Sequence, residues 1–411
     1  MDTKTAGKPI RCKAAVARKA GEPLVIEEVL VAPPKSGEVR VRIICSSLCH
    51  SDVTFWKLRV CTLFIFSIFV ESYYRIFISL ALFYFLKDPP GYFPRILGHE
   101  SYGVIESIGE DVHDVTEGDT VVPVFLPDCG ECNTCKSPKS NICSKLPFKV
   151  GPWMHREETS RFTDLNGETI YHFLFISSFS QYTVLDVAHI VKVDPQIPPD
   201  RACLLSCGVS TGVGAALKTA DVEAGSTVAI FGLGVIGLAV AEGARLRGAK
   251  RIIGVDVNED KREVGGKFGV TDFVNSRNCG DKPVSQVIME MTEGGADYCF
   301  ECVGMASLVH EAFACCRMGW GKTIVVGVDK PGAMLSFTSF EVLHHGKTLM
   351  GSLFGNLKPK SDIQMLLKRY MDKELELDKF VTHEGSLEDI NKAFELLTEG
   401  KSLRCVIWMD K

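Results

Sequence analysis

The sequence predicts an α/β protein of two parts, a β-rich domain that carries metal ligands and a doubly wound parallel sheet. Three observations point to it. Short strand-like runs separated by turn residues fill the first half of the chain, and strand and helix patterns alternate after about residue 209. Between them, Cys129-x2-Cys132-x2-Cys135-x7-Cys143 has the spacing of a closed tetrahedral metal site. At 411 residues the chain can bury two separate cores. A net charge of -5 argues against nucleic acid as a main partner. The 16 cysteines are clustered, and Met1-Asp-Thr-Lys-Thr5 does not open a secretory leader. Metal ligands and buried thiols in the reducing cytoplasm are therefore expected.

Taken in order, Leu24–Val29 and Glu38–Ile44 read as strands, with Pro33-Pro34-Lys-Ser-Gly37 as the turn between them. The second alternates apolar and charged residues, which predicts a half-buried strand. Cys49-His50-Ser51-Asp52 follows. Gly98-His99-Glu100 leads into further β-rich stretches, and Tyr182–Leu185 and His189–Val193 again read as strands. Pro195, Pro198 and Pro199 punctuate the change of pattern. Thr227–Phe231 is then a buried strand, Leu238–Leu246 a helix and Arg251–Val255 the next strand. Ala296–Glu301 and Lys322–Gly327 continue the series. An amphipathic helix near Asp362–Tyr370 and a strand at Leu403–Trp408 complete the chain. The expected domains are 1–208 with 354–411, and 209–353.

The four clustered cysteines need no ligand from elsewhere, and Gly130 and Asn133 allow the tight turns of a zinc knuckle. Gly232-Leu-Gly234-Val-Ile-Gly237 lies between a predicted strand and a predicted helix, with Asp256 at the end of the next strand. Such glycines let the backbone turn and approach a pyrophosphate at the helix N-terminus. An acidic side chain at Asp256 suits ribose hydroxyls and repels a 2′-phosphate, which favours NAD over NADP. Cys49, His99 and Cys207 are each ambiguous alone, because a single cysteine in an apolar stretch is more often core than ligand.

The ordered set resolves that ambiguity. Cys49-His-Ser-Asp, Gly98-His99-Glu100-x2-Gly103-x5-Gly109, the cysteine knuckle, Cys207-Gly-Val-Ser-Thr-Gly212, the glycine motif, Phe300-Glu-Cys-Val-Gly304 and Leu403-Arg404 span nearly the whole chain. In this order they resemble the zinc-dependent medium-chain alcohol dehydrogenases, the plant alcohol dehydrogenase-like members in particular. The resemblance implies a GroES-like catalytic domain and a Rossmann cofactor domain. It implies two zinc ions per chain, one structural at Cys129, Cys132, Cys135 and Cys143, one catalytic at Cys49, His99 and Cys207. Glu100 matches a carboxylate that approaches the catalytic ion, and Asp52 one that orients His99. Ser51 matches the hydroxyl that accepts the alcohol proton. His50, Thr211, Gly232, Gly234, Gly237, Asp256, Lys261 and Arg404 match cofactor-binding positions. Thr54 departs from the relay histidine of many members. The implied activity is hydride transfer between a small alcohol or aldehyde and NAD in a cytoplasmic homodimer. A non-redox zinc lyase and an inactive relative are the alternatives.

One segment does not fit. In the resembling family, a sequence like Trp56-Lys-Leu-Arg-Val60 runs almost directly into Pro89-Pro-Gly-Tyr-Phe-Pro94, so 61–88 reads as an in-frame insertion. Its two apolar runs of 11 residues, Val60–Val70 and Ile76–Leu86, are each too short to span a bilayer as a helix. Its excess of Phe, Ile, Leu and Tyr is that of translated noncoding sequence, with a surface flap or a membrane element as alternatives. A single span would separate Cys49 from His99 and so exclude a shared ion.

Overall fold

A computed structural model of the chain describes Thr5 and residues 7–58, 92–330 and 332–411. The insertion read at 61–88 lies outside the described residues. By compactness the chain forms two units, Met1–Ser206 with Val381–Lys411, and Cys207–Phe380.

The first unit is built on two sheets. The smaller orders Arg95–Ile96, Ile10–Ala17, Val25–Val31, Phe162–Asp164 and Thr169–Ile170, all antiparallel. The larger places Glu38–Ser47 at its centre, against Glu100–Ile108, Arg404–Trp408 and Tyr182–Asp186. That central position corrects one expectation. Glu38–Ser47 is not half-buried, because strands and loops cover both of its faces, with Glu38 at 3 % and Arg40 at 0 % exposure. Each buried charge is neutralised: Arg40 Nε donates to Glu106 at 2.6 Å, and Arg161 donates to both oxygens of Glu38 at 2.9 and 2.6 Å.

The strand register positions the residues expected as metal ligands. Ser47 pairs with Glu100 on one side and with Val406 on the other. Two residues beyond Ser47 the chain reaches Cys49, which therefore emerges beside His99 and opposite Arg404. The Leu48 N–H donates to Cys405 O at 3.0 Å and continues this register past the sheet edge.

The second unit carries a six-stranded parallel sheet. In chain order its strands are Thr227–Phe231, Arg251–Asp256, Asp272–Asn275, Tyr298–Glu301, Lys322–Val325 and Thr348–Gly351. In space they run third, second, first, fourth, fifth, sixth, so the order reverses between the first and fourth. This is the doubly wound arrangement of dinucleotide-binding sheets. The central strands Thr227–Phe231, Arg251–Asp256 and Tyr298–Glu301 bury their apolar runs on both faces, as the covered strands of a parallel sheet must, while the edge strand Thr348–Gly351 stays largely exposed.

Residues 354–380 group with this second unit, where the sequence placed them with the first. The reason is close backbone approach: a Cβ at Gly355 would lie 2.6 Å from Gly214 Cα and 2.7 Å from Thr211 O. The helix Pro359–Met371 is tied down by Asp362, which accepts from Lys218 at 2.5 Å, and the Phe380 ring packs on Phe268 at 4.5 Å. Among the described residues no single helix is long and apolar enough to cross a membrane. Among the described residues no two cysteines are joined in a disulfide.

Candidate metal centres and cofactor site

The four clustered cysteines converge. Their sulfur atoms all lie within 4.8 Å of one another. Cys129 and Cys135 are 3.8 Å apart and Cys132 and Cys143 4.0 Å apart. A tetrahedron with Zn–S bonds of about 2.3 Å has edges of about 3.8 Å, whereas a disulfide is about 2.05 Å long. The donor set therefore fits a zinc ion. Backbone N–H groups of Cys132, Cys135 and Leu146 donate to Cys129, Cys132 and Cys143 sulfur at 3.4, 3.4 and 3.3 Å, the turns of a knuckle. Hydrogen bonds from Ser144 and Thr134 pull the Cys132 thiol down to about 4, while burial pushes Cys135 and Cys143 up. Crowded thiolates without a cation cannot all ionise, and a divalent ion removes that conflict.

The second group is Cys49, His99, Glu100 and Cys207, again with ligand atoms within 4.8 Å. Cys207 follows Ser206 directly, and Ser206 is anchored in the first unit. Its hydroxyl accepts from Ser101 N–H at 3.1 Å and donates to Ser101 O at 3.2 Å. Chain continuity thus holds the Cys207 backbone at this site. Asp52, at 0 % exposure, organises the other ligands. Its Oδ2 accepts from Cys49 N–H at 2.9 Å, and its Oδ1 accepts from Gly98 N–H at 2.9 Å and lies 3.2 Å from His99 Nδ1. With Nδ1 donating to the carboxylate, the lone pair of His99 lies on Nε2. That Nε2 is buried and finds no hydrogen-bond partner among the described residues. An orphaned imidazole nitrogen beside two cysteine sulfurs is what a zinc ligand requires. Although burial opposes it, the charges of Asp52 and Cys49 hold His99 well above its ordinary value, so the field here favours a positive charge. Phe125 and Phe173 close on the imidazole edge-on at 6.4 and 5.6 Å, giving the site apolar walls.

Arg404, matched to a cofactor position by the resemblance, also stands beside these residues, a place no local sequence pattern announces. Arg404 is 2 % exposed and forms a bidentate pair with Glu100, both contacts at 2.7 Å, and its Nη2 also donates to Cys49 sulfur at 3.5 Å. Burial raises Glu100 to about 7 against the opposing pull of Arg404. Ser51 sits in the first turn of the helix His50–Lys57 with its Oγ 3.9 Å from Cys49 sulfur. His50, on the same turn, is exposed. The Thr54 hydroxyl is turned back to His50 O at 3.0 Å.

The remaining expected residues lie in the second unit. Gly232 has φ +92°, and a Cβ on Gly237 would lie 1.8 Å from Gly232 O, so the loop closes only with glycine there. A Cβ on Gly234 would meet nothing within 4 Å, which leaves the helix N-terminus open to a phosphate. Asp256 ends the second strand. Its Oδ2 accepts from Leu233 N–H at 2.8 Å and its Oδ1 from Asn258 N–H at 2.9 Å, so the carboxylate braces the glycine loop. Lys261 opens the helix Lys261–Gly266, just after that strand. Thr211 lies in the helix Gly208–Gly214, its hydroxyl donating to Cys207 O at 2.7 Å. This helix packs closely on the helix Val235–Leu246, since a Cβ at Gly212 would lie 2.4 Å from Ile236 O. The helix that directly follows Cys207 therefore packs on the helix that follows the glycine loop.

Comparison with known proteins finds relatives over nearly the whole chain. Residues 35–195 match the family model described as alcohol dehydrogenase GroES-like domain, and residues 235–373 that described as zinc-binding dehydrogenase. The chain is 66 % identical to alcohol dehydrogenase-like 7 of Arabidopsis thaliana over 99 % of its own length and 98 % of the relative's. It is 47 % identical to alcohol dehydrogenase class-3 of Oryza sativa subsp. japonica over the full length of both. Among solved structures it is similar to an alcohol dehydrogenase zinc-binding domain protein from Burkholderia ambifaria, with TM-score 0.82, 28 % identity and coverage of 98 % of this chain and 100 % of that one. It is also similar to benzyl alcohol dehydrogenase from Acinetobacter calcoaceticus, with TM-score 0.79, 25 % identity and coverage of 97 % and 99 %.

Proposed function

Since this chain belongs to the zinc-dependent medium-chain alcohol dehydrogenase family, we propose that it oxidises a small alcohol with NAD, or runs the reverse aldehyde reduction. The observation that carries the reading is the buried His99, whose Nε2 finds no hydrogen-bond partner among the described residues and which belongs with Cys49, Glu100 and Cys207 to a group whose ligand atoms lie within 4.8 Å of one another. Two thiolates and one neutral imidazole would leave a bound zinc formally neutral, able to polarise an alcohol oxygen and lower its pKa. Four thiolates would leave the other ion doubly negative and closed, so chemistry belongs to the first site.

The chain's own groups supply the rest. Asp52 fixes the tautomer and ring orientation of His99 and the backbone of Cys49. Ser51 Oγ, beside Cys49, receives the hydroxyl proton of the alcohol. With Thr54 turned back onto its own helix, that proton continues to water. Arg404 neutralises Glu100 next to the ligands, and Phe125 and Phe173 limit water around His99. Asp256 gives preference to NAD, because its charge opposes a 2′-phosphate.

A homodimer is part of the same reading. The strand Thr348–Gly351 is one of the two edges of the parallel sheet among the described residues, and Met334, Phe340 and Leu343 nearby in sequence are 84, 66 and 79 % exposed. Cysteines that form no disulfide among the described residues support a reducing compartment, the cytoplasm. Residues 61–88 are proposed as an insertion the chemistry does not use, because every assigned ligand and cofactor residue lies outside them. The non-redox lyase draws no support from the relatives. The test is NAD-dependent oxidation across a panel of small alcohols by the zinc-loaded protein, with and without residues 61–88. Product formed with no change in cofactor absorbance would favour the lyase instead.

A further inference from the structure

Glu301 ends the fourth strand of the parallel sheet, paired with Phe231 at the end of the first. That pair marks the point where strand order reverses. The Glu301 side chain is fully buried. Its Oε1 accepts the N–H groups of Val303, Gly304 and Met305 at 2.8, 2.7 and 3.4 Å, so one oxygen gathers three successive donors of the turn after the strand. Its Oε2 finds no hydrogen-bond partner among the described residues, and a Cβ at Gly327 would come within 2.6 Å of it. Burial outweighs the backbone donors and raises its pKa.

A buried carboxylate with one oxygen unpaired costs stability that a neutral turn would not. What the turn holds supplies a reason. Val303, 47 % exposed, presses on the glycine loop: a Cβ on Gly232 would lie 2.5 Å from Val303 Cγ2. The Cys302 N–H donates to Phe231 O at 2.9 Å and Gly232 N–H to Val255 O at 2.8 Å. Carboxylate, turn and glycine loop thus form one connected chain of contacts.

We infer that Glu301 is a positioning residue for the dinucleotide, whose charge draws in the 303–305 amides and sets the wall that Val303 forms against the glycine loop. The inference rests on the NAD reading given above. Titration of the zinc-loaded full-length protein with NADH, followed by nucleotide fluorescence, tests it on wild type, Glu301→Gln and Val303→Ala. Replacing charge-assisted hydrogen bonds by neutral ones should weaken NADH binding about tenfold in Glu301→Gln. Val303→Ala, which spares the carboxylate, should weaken it about threefold. The unfolding midpoint of the nucleotide-free protein should stay within about 3 °C of wild type in both. NADH affinity within about twofold of wild type in Glu301→Gln overturns the inference. Weakened binding accompanied by a large fall in midpoint overturns it as well, because that is the mark of a purely structural role. Should Glu301→Gln fail to fold, unchanged NADH affinity in Val303→Ala overturns it. A wild-type protein that does not bind NADH overturns the cofactor reading, and this inference with it.

Discussion

Mild acid should act on the first unit through His172, and replacing that residue should remove a defined part of the response. His172 is fully buried; its Nε2 accepts from Arg161 N–H at 3.1 Å, and its Nδ1 finds no partner among the described residues. Burial, then the Arg161 and Arg95 guanidinium groups, lowers its pKa from 6.5 to about 3. The folded state therefore excludes a proton that the unfolded chain accepts. For a depressed histidine the stability contribution is whole above about 6.5 and is lost as pH falls toward the folded value. Between about pH 7 and about pH 5.5 the loss is roughly 1.2 kcal/mol for one such histidine. Glu100, raised by burial to about 7, responds in the opposite sense over the same window. The difference between wild type and a His172 variant isolates the histidine. His172→Gln keeps an acceptor for Arg161 N–H and cannot ionise. Urea unfolding at several pH values, with zinc in excess, should show the variant losing about 1.2 kcal/mol less than wild type across the window. Identical pH dependence in the two proteins would refute the assignment of His172 as a buried neutral group.

Asp52→Asn removes the charge that supports His99 and leaves the amide unable to satisfy all three of its present contacts. Catalytic zinc affinity, measured by chelator competition, should fall about 10- to 100-fold, and an unchanged affinity would show that Asp52 does not orient the ligand. Asp256→Asn should narrow the preference for NAD over NADP by about tenfold or more in kcat/KM, provided the carboxylate acts by charge repulsion. A preference that does not move would assign Asp256 only to bracing Leu233 and Asn258. The homodimer should appear in light scattering at about 90 kDa, twice the chain mass of 45.2 kDa. Leu343→Glu should shift it toward half that mass, and a wild-type monomer at micromolar concentration would remove the dimer from the proposal.

The four-cysteine cluster was legible as a candidate metal site because it sits in one short local motif. Cys129 to Cys143 form a complete donor set within one turn-rich stretch, and their sulfur spacing follows from that stretch alone. Cys49, His99 and Cys207 were legible only as an ordered set, since what unites them is the pairing of Ser47 with Glu100 and the anchoring of Ser206 on Ser101. Arg404 lies 304 residues from Glu100 in sequence, and only the pairing of Val406 with Ser47 puts its guanidinium there. The burial of Glu38 and Arg40 was missed because alternation of apolar and charged residues ordinarily marks a solvated face. Here Arg161 and Glu106, distant in sequence, supply the compensating charges. Four of the six parallel strands read well from their apolar runs, whereas Asp272–Asn275 and Thr348–Gly351, short and little buried, were not read, and residues 354–380 took their place from a glycine contact that no local pattern announces. Glu301 stood within a recognised motif, yet its clamp on three amides became visible only with the turn in place.

The most direct test of zinc-dependent hydride transfer follows NADH absorbance as the protein, with its zinc content measured, is given NAD and a panel of small primary and secondary alcohols. NADH should form with at least one alcohol, cease when a chelator removes the zinc held by Cys49, His99 and Cys207, and return when zinc is restored. Loss of His99 as a ligand in His99→Ala should abolish it while the zinc of the four-cysteine site remains. No NADH from any alcohol by a protein carrying both zinc ions, with residues 61–88 present or removed, would contradict the account.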